Sequence, residues 1–371
     1  MTTNIWVAGG KGPHQIVTSP DGIIWTSSES GEAAFAGGIC RAVAHNGLLD
    51  SGGLWVAVGG GYNGTPYHKI AYSTDGVKWT GSTSGNALFV GGDCVTVAYG
   101  NGVWVAGGSS AQNSVAYSID GVNWTGSTSG NTAIGECYTV AYGNGLWVAG
   151  GAGNNTIATS PNGIDWTGRQ SVSGLTIGLG VAYGNALWVM VGGNNSSGAI
   201  ATSPDGINWT ASTSGYTLFS SVINCVTVAY GNGLWVVGAE GDGNYTTLVA
   251  YSSDGTSWTG STSGTDVFGP SSRSPASSAC ETVAYGNGLW VAGGYGDYNA
   301  AYSSLGTSWT ASTGEGSLGA LFTGGYVGAC KSVAFGKAYT SPPSVYQQFQ
   351  SPTLNIFQTN FKGMGNVGDY L

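Results

Sequence analysis

The sequence predicts an all-β chain: a seven-bladed β-propeller of four-stranded antiparallel blades, with an extended C-terminal tail. Three observations predict it. An aliphatic-Trp-Val string occurs seven times, a Ser-x-Asp-Gly-x-x-Trp-Thr string occurs five times with two near matches, and the chain starts and stops part-way through this repeat.

The first string carries Trp6, Trp55, Trp104, Trp147, Trp188, Trp235 and Trp290, and the second carries Trp25, Trp79, Trp124, Trp166, Trp209, Trp258 and Trp309. Together they use all 14 tryptophans. Within each set the spacing runs from 41 residues (Trp147 to Trp188) to 55 (Trp235 to Trp290), the length of a four-stranded blade. Residues 94–128 show one unit, in which the β-rich runs VTVAYG, VWVAGG, SVAYS and VNWTGS are separated by turn signals. Asn101-Gly102 lies at the first junction and recurs as Asn144-Gly145, Asn232-Gly233 and Asn287-Gly288; such pairs tolerate the positive φ of a tight hairpin. We name the strands A to D from the channel outward.

The chain begins at a strand B (IWVAGG), and its last repeat fragment is a lone strand A, Cys330 to Gly336. A C-terminal strand A therefore joins N-terminal strands B, C and D, which closes the ring and removes the open sheet edge. The expected domains are a propeller over residues 1–336 and a tail over 337–371.

The Ser-x-Asp-Gly-x-x-Trp string resembles the Asp-box of sialidase-like and BNR-repeat propellers. It departs from the usual box in having Asp and Gly adjacent, and Asn162 and Leu305 stand in the Asp place of two blades. The resemblance implies a structural turn remote from any active site. The residue chemistry agrees, because a carboxylate at a tight turn accepts backbone N–H bonds. Asp21, Asp75, Asp120, Asp205 and Asp254 are read as turn formers. A sialidase would also need three converging arginines and a Tyr–Glu nucleophile pair. The only arginines, Arg41, Arg169 and Arg273, fall at unrelated repeat positions, so no catalytic residue is assigned and the chain is read as a non-enzyme.

Cys40, Cys94, Cys137, Cys225, Cys280 and Cys330 head strand A of six blades, and Gly178 takes the place in the other. They read as small buried thiols packed between blades, with no disulfide and no metal. No cofactor is expected. His45 replaces the Tyr found in other blades, and His14 and His68 fall in B–C loops. Phe35, Phe89, Phe219 and Phe268 lie ten residues past the strand-D Trp, in the D–A connections. They read as plugs onto the neighbouring blade or, alternatively, as sugar-stacking rings.

Propeller geometry puts the regular A–B and C–D turns on one face and the variable B–C and D–A loops on the other. Function concentrates in variable loops on a rigid scaffold. The candidate binding residues on that loop face are Tyr62, Tyr67, His68, Phe89, Phe219 and Arg273. In the tail, the spaced aromatics Tyr346, Phe349, Phe357 and Phe361 suit an extended segment that docks a partner or packs on its own propeller.

Charged residues make up 7% of the chain, whose net charge is −9 with nine Lys and Arg. Phosphate-backbone binding needs clustered cations, so nucleic acid is not an expected partner. MTTNIWVAGG has neither a basic n-region nor a continuous apolar core, so no secretory signal is expected, and no stretch reaches membrane-spanning length. Glycine-rich propellers of this repeat type are similar to proteins of large DNA viruses and phages. That resemblance implies a structural or attachment protein of a virion surface or other extracellular assembly, made in the cytosol, whose partners are other assembly proteins. A lectin-like glycan-binding propeller is the alternative, and a sialidase-like hydrolase the third reading.

Overall fold

The computed structural model describes residues 2–47, 53–61, 68–110, 112–170, 172–194, 197–241, 247–269, 278–314, 316–322 and 329–339. Tyr62, Tyr67, Arg273, Tyr346, Phe349, Phe357 and Phe361 lie outside them. The chain divides after Thr340, and the first unit is the propeller. Its innermost strands touch one another in cyclic order: Ala329–Tyr339 (blade 1), Gly38–His45, Asp93–Gly100, Glu136–Gly143, Ile177–Gly184, Asn224–Gly231 and Ser278–Gly286 (blade 7). The seventh returns to the first, so the ring is closed.

Closure is made in blade 1, where strand B, Thr2–Lys11, lies between the C-terminal strand A and strand C, Ile16–Ser19. The pairing runs from Lys11 opposite Ala329 to Thr2 opposite Tyr339. The last strand thus continues three residues beyond Gly336, where the repeat stops, because the N-terminal residues Thr2 to Asn4 supply backbone partners.

Turn chemistry fixes each blade. Asn101, Asn144, Asn232 and Asn287 each have φ of 49°, and the glycine after each is also left-handed, which is the hairpin geometry that Asn-Gly favours. In the C–D turn, Ser73 Oγ accepts the Gly76 N–H at 2.9 Å while Asp75 Oδ1 accepts those of Val77 and Lys78 at 2.8 and 2.7 Å. Asn162 Oδ1 does the same work for Ile164 and Asp165. At Leu305 only the serine bonds survive, from Ser303 to the N–H groups of Leu305 and Gly306.

The D–A connections, expected as loops, contain six short helices among the described residues: α1 (Glu29–Ala34), α2 (Thr83–Leu88), α3 (Thr128–Ala133), α4 (Thr213–Leu218), α5 (Thr262–Phe268) and α6 (Leu318–Leu321). Ser28, Ser82, Ser127, Ser212 and Ser261 cap the first five by accepting the N–H of the glycine three residues on, one of the orphan donors of a helix start. That glycine has a packing reason: a Cβ at Gly31 would come within 2.7 Å of Ile16 Cβ.

These helices also strap neighbouring blades together. Ser28 Oγ donates to Val77 O of the next blade at 2.6 Å, and Ser30 Oγ accepts the Trp79 N–H at 3.0 Å. The pair repeats as Ser82 and Ser84 on Val122 and Trp124, Ser127 and Ser129 on Ile164 and Trp166, Ser212 and Ser214 on Thr256 and Trp258, and Ser261 and Ser263 on Thr307 and Trp309. Between blades 7 and 1 the Trp25 N–H donates to Gly316 O instead.

Nearer the channel the seams are close-packed. Cys40, Cys137, Cys280 and Cys330 each sit against a strand-B glycine of the preceding blade, so a Cβ at Gly9, Gly107 or Gly293 would lie 2.4–2.5 Å from the Sγ of Cys40, Cys137 or Cys330 and one at Gly238 2.7 Å from that of Cys280. At the other end of strand A, the rings of Tyr142, Tyr183, Tyr230, Tyr285, Phe335 and His45 lie over the last strand-A glycine of the blade before. Each ring also packs tilted on its own blade's inner tryptophan, as Tyr99 does on Trp104. His45 takes part without charge, since burial pushes its imidazole down to about 4.

The seam between blades 4 and 5 departs from this plan. Among the described residues no helix lies between Thr167–Arg169 and Ile177–Gly184, and no hydrogen bond reaches the Trp209 backbone N–H. Trp209 alone of the outer tryptophans is half-buried. Inside the seam Gly178 replaces cysteine, and Met190 stands where most blades have alanine. A Cβ at Gly150 would meet the Met190 methyl at 3.2 Å, so methionine fills the space that a thiol fills elsewhere. Met190→Ala should therefore lower unfolding stability by about 2–4 kcal/mol. Met190→Ala with Gly178→Cys should recover to within about 1 kcal/mol of the parent, as measured by urea unfolding.

Candidate functional site

Strand A carries a β-bulge in every blade, directly after the cysteine position. The register skips one residue between Cys40 and Ala42, Cys94 and Thr96, Cys137 and Thr139, Gly178 and Gly180, Cys225 and Thr227, and Cys280 and Thr282. In blade 1 the skipped residue is Lys331, between Cys330 and Ser332. Bulges re-aim a side chain out of the ladder. Here seven bulges on the innermost strands make a ring near the loop-face end of the channel.

In blade order the ring reads Lys331, Arg41, Val95, Tyr138, Leu179, Val226 and Glu281, all half-buried. Blades 7, 1 and 2 give a charged arc, and blades 3 to 6 give an arc of three aliphatic side chains and one phenol. The charges are paired. Lys331 Nζ binds Glu281 Oε1 and lies 5.4 Å from the Tyr295 ring centre, while the Tyr295 hydroxyl donates to Glu240 Oε1 at 2.9 Å. Arg41 donates through Nε and Nη2 to Asp93 Oδ2 at 3.1 and 2.8 Å, and Lys69 approaches Asp93 Oδ1 at 3.4 Å. Across the ring the Tyr138 hydroxyl donates to Glu136 Oε2.

Burial, and then Glu136, pushes the Tyr138 phenol up to about 12, and burial with Glu240 and Glu281 raises Tyr295 further. Both phenols hold their protons at neutral pH and serve as hydrogen-bond donors to carboxylates. An activated phenolate nucleophile needs the opposite shift.

Two residues expected on the binding surface are not there. Phe89 and Phe219 are fully buried at 0% exposure. Each ends its helix as the C-cap residue, and a Cβ at Gly108 of blade 3 would lie 3.0 Å from the Phe89 ring. They seal seams and cannot stack on a ligand. His68 does lie at the loop face, half-buried, with its Nδ1 2.6 Å from Asn86 Nδ2 and its N–H bonded to Ala34 O of blade 1. His14 pairs with Glu32 in its own blade, so the two histidines are not brought together. Arg41 belongs to the bulge ring, whereas Arg169 lies on an outer strand and donates to Thr159 Oγ1.

Sequence reasoning missed the ring itself. The position after cysteine is the one that changes from Arg to Val, Tyr, Leu, Glu and Lys, while the Thr-Val-Ala-Tyr around it is nearly constant. Variation confined to one position of a constant repeat was the available signal.

No protein-family model matches the chain, and no curated protein matches it. Among solved structures it is similar to YCF48 bound to a D1 peptide, with 14% identity over 83% of this chain and 94% of that one, at a TM-score of 0.51. It is also similar to a chain of a nidogen/laminin complex (8% identity, 92% and 100% covered, TM-score 0.45) and to the designed Ika8 protein (15%, 71% and 70%, TM-score 0.39). At such identity the YCF48 likeness shows the fold alone: the chain is a β-propeller.

The six cysteines are unpaired and buried. Burial is the largest cause of every thiol's raised pKa, and it takes Cys137 up to about 12. Thiolate is the reactive form. Titration with a disulfide reagent at pH 8 should therefore find no reactive thiol in the native protein and all six after guanidinium unfolding.

Proposed function

We propose that the protein is a non-enzymatic interaction scaffold, the structural or attachment component of a virion surface or similar extracellular assembly. It holds a protein partner over the loop-face mouth of the channel, and its tail, through Tyr346, Phe349, Phe357 and Phe361, docks into the assembly. The bulge ring carries this reading. It offers seven re-aimed side chains of mixed chemistry on a rigid closed frame, with its charges paired and its phenols protonated. Such a surface recognises shape and charge, and it lacks a poised nucleophile or base. The peptide complex of the YCF48 propeller is a precedent for this use of the fold. The glycan-binding alternative loses two of its stacking rings with the burial of Phe89 and Phe219.

Light scattering tests the assembly role. The full chain should form species heavier than a monomer, and a chain ending at Thr340 should remain a folded monomer. Equal monomeric masses for the two would remove tail docking from the account.

A further inference from the structure

The geometry points to a subsite for a primary ammonium, a lysine side chain of the partner, in a loop-face groove between blades 3 and 4. This rests on the reading that a protein partner docks on that face. The groove has a volume of about 350 Å³ and is bounded by Ser109, Ser110, Gln112 and Ser114 on one side and by Asn131, Gly135 and Glu136 on the other.

Bonds among Ser110, Ser114 and Asn131 fix its walls and consume the donors of those three side chains. Ser110 Oγ donates to Val90 O at 3.1 Å and accepts the Gln112 N–H at 3.2 Å. Asn131 Oδ1 accepts the Ser114 and Val115 N–H groups at 2.8 and 3.2 Å, and its Nδ2 donates to Gln112 O and Asn113 Oδ1, both at 3.3 Å. The Ser114 hydroxyl proton goes to Gly135 O. What remains is the lone pairs of Ser114 Oγ, the carboxylate of Glu136, and the Ser109 hydroxyl and Gln112 amide, each of which can accept as well as donate. Tyr138 of the bulge ring holds Glu136 through Oε2, and among the described residues no hydrogen bond involves Oε1.

A polar groove whose only charged lining residue is a carboxylate selects a ligand that brings donors and positive charge. An ammonium has three donors and accepts nothing. A sugar also brings hydroxyl donors, but no aromatic or aliphatic side chain lines the groove, so the apolar face of a pyranose has nothing to stack on. The net charge of −9 favours a basic partner surface in the same direction.

The test uses the full ¹⁵N-labelled chain and the peptide acetyl-Ala-Leu-Ala-Lys-Ala-amide, followed by amide chemical shifts. We expect saturable shifts at Ser109, Gln112, Ser114, Asn131 and Glu136, abolished when norleucine replaces the lysine. In Glu136→Gln the affinity should fall at least about fivefold, with the rest of the spectrum unchanged. Shifts confined to bulge-ring residues such as Val95, Leu179 and Val226 would overturn the ammonium subsite and leave loop-face docking standing. Silence at both places would overturn both. Undiminished affinity in Glu136→Gln, or an equal groove response to glucose, would also overturn the subsite.

Discussion

The ring depends on the contact between one blade and the next. A four-stranded blade cannot cover both of its faces alone, and repeat folds gain stability from their neighbour interfaces. Here two devices make that interface. Near the channel, a strand-B glycine admits the thiol of the following blade to van der Waals contact. At the rim, paired serines of a short helix satisfy the carbonyl and the tryptophan N–H of the following blade. At four seams cysteine and glycine are thus two halves of one packing solution, in which the thiol is buried and protonated. Lys331, Arg41 and the other bulge residues belong to neither device.

The seam between blades 4 and 5 shows the same rule through its exceptions. Gly178 is smaller than the cysteine of the other blades, and Met190 beside it is larger than the usual alanine, with Met190 Sδ 3.1 Å from a Cβ built at Gly178. Volume is conserved although the positions exchange roles. The hairpin of blade 5 also carries Asn185-Ala186 in place of Asn-Gly, with Ala186 at φ of 57°, a strained setting for a residue with a Cβ. Blades 5, 6 and 7, by contrast, are joined through direct strand pairs, Gly193 with Asn224 and Glu240 with Ala279. The two sides of that seam are therefore built differently.

Much of the fold was legible because its determinants are local. Two tryptophan strings, Asn-Gly pairs and a chain that starts at strand B specify blades, hairpins and closure without knowledge of any contact. The helices were legible in principle, since Ser-Thr-Ser-Gly supplies the N-cap, yet six residues are too few to show a helical period. The burial of Phe89 and Phe219 could not be read from spacing, because a ring in a connection looks alike whether it faces solvent or a seam. The bulge ring was hidden for another reason. Lys331, Glu281 and Tyr295 come together only when blades 7 and 1 are adjacent, and the skipped residue leaves no mark on the run of strand A.

The central claim is that serine straps hold the rim of the ring at five seams, and that among the described residues the seam between blades 4 and 5 has neither a strap nor the backbone substitute found between blades 7 and 1. Residue-resolved hydrogen exchange tests it most directly. Trp209 should show an amide protection factor at least about ten times lower than Trp79, Trp124, Trp166, Trp258 and Trp309, whose N–H groups bind the strap serines. Equal protection across all six tryptophans would contradict the account, because the rim would then be held by something other than the straps.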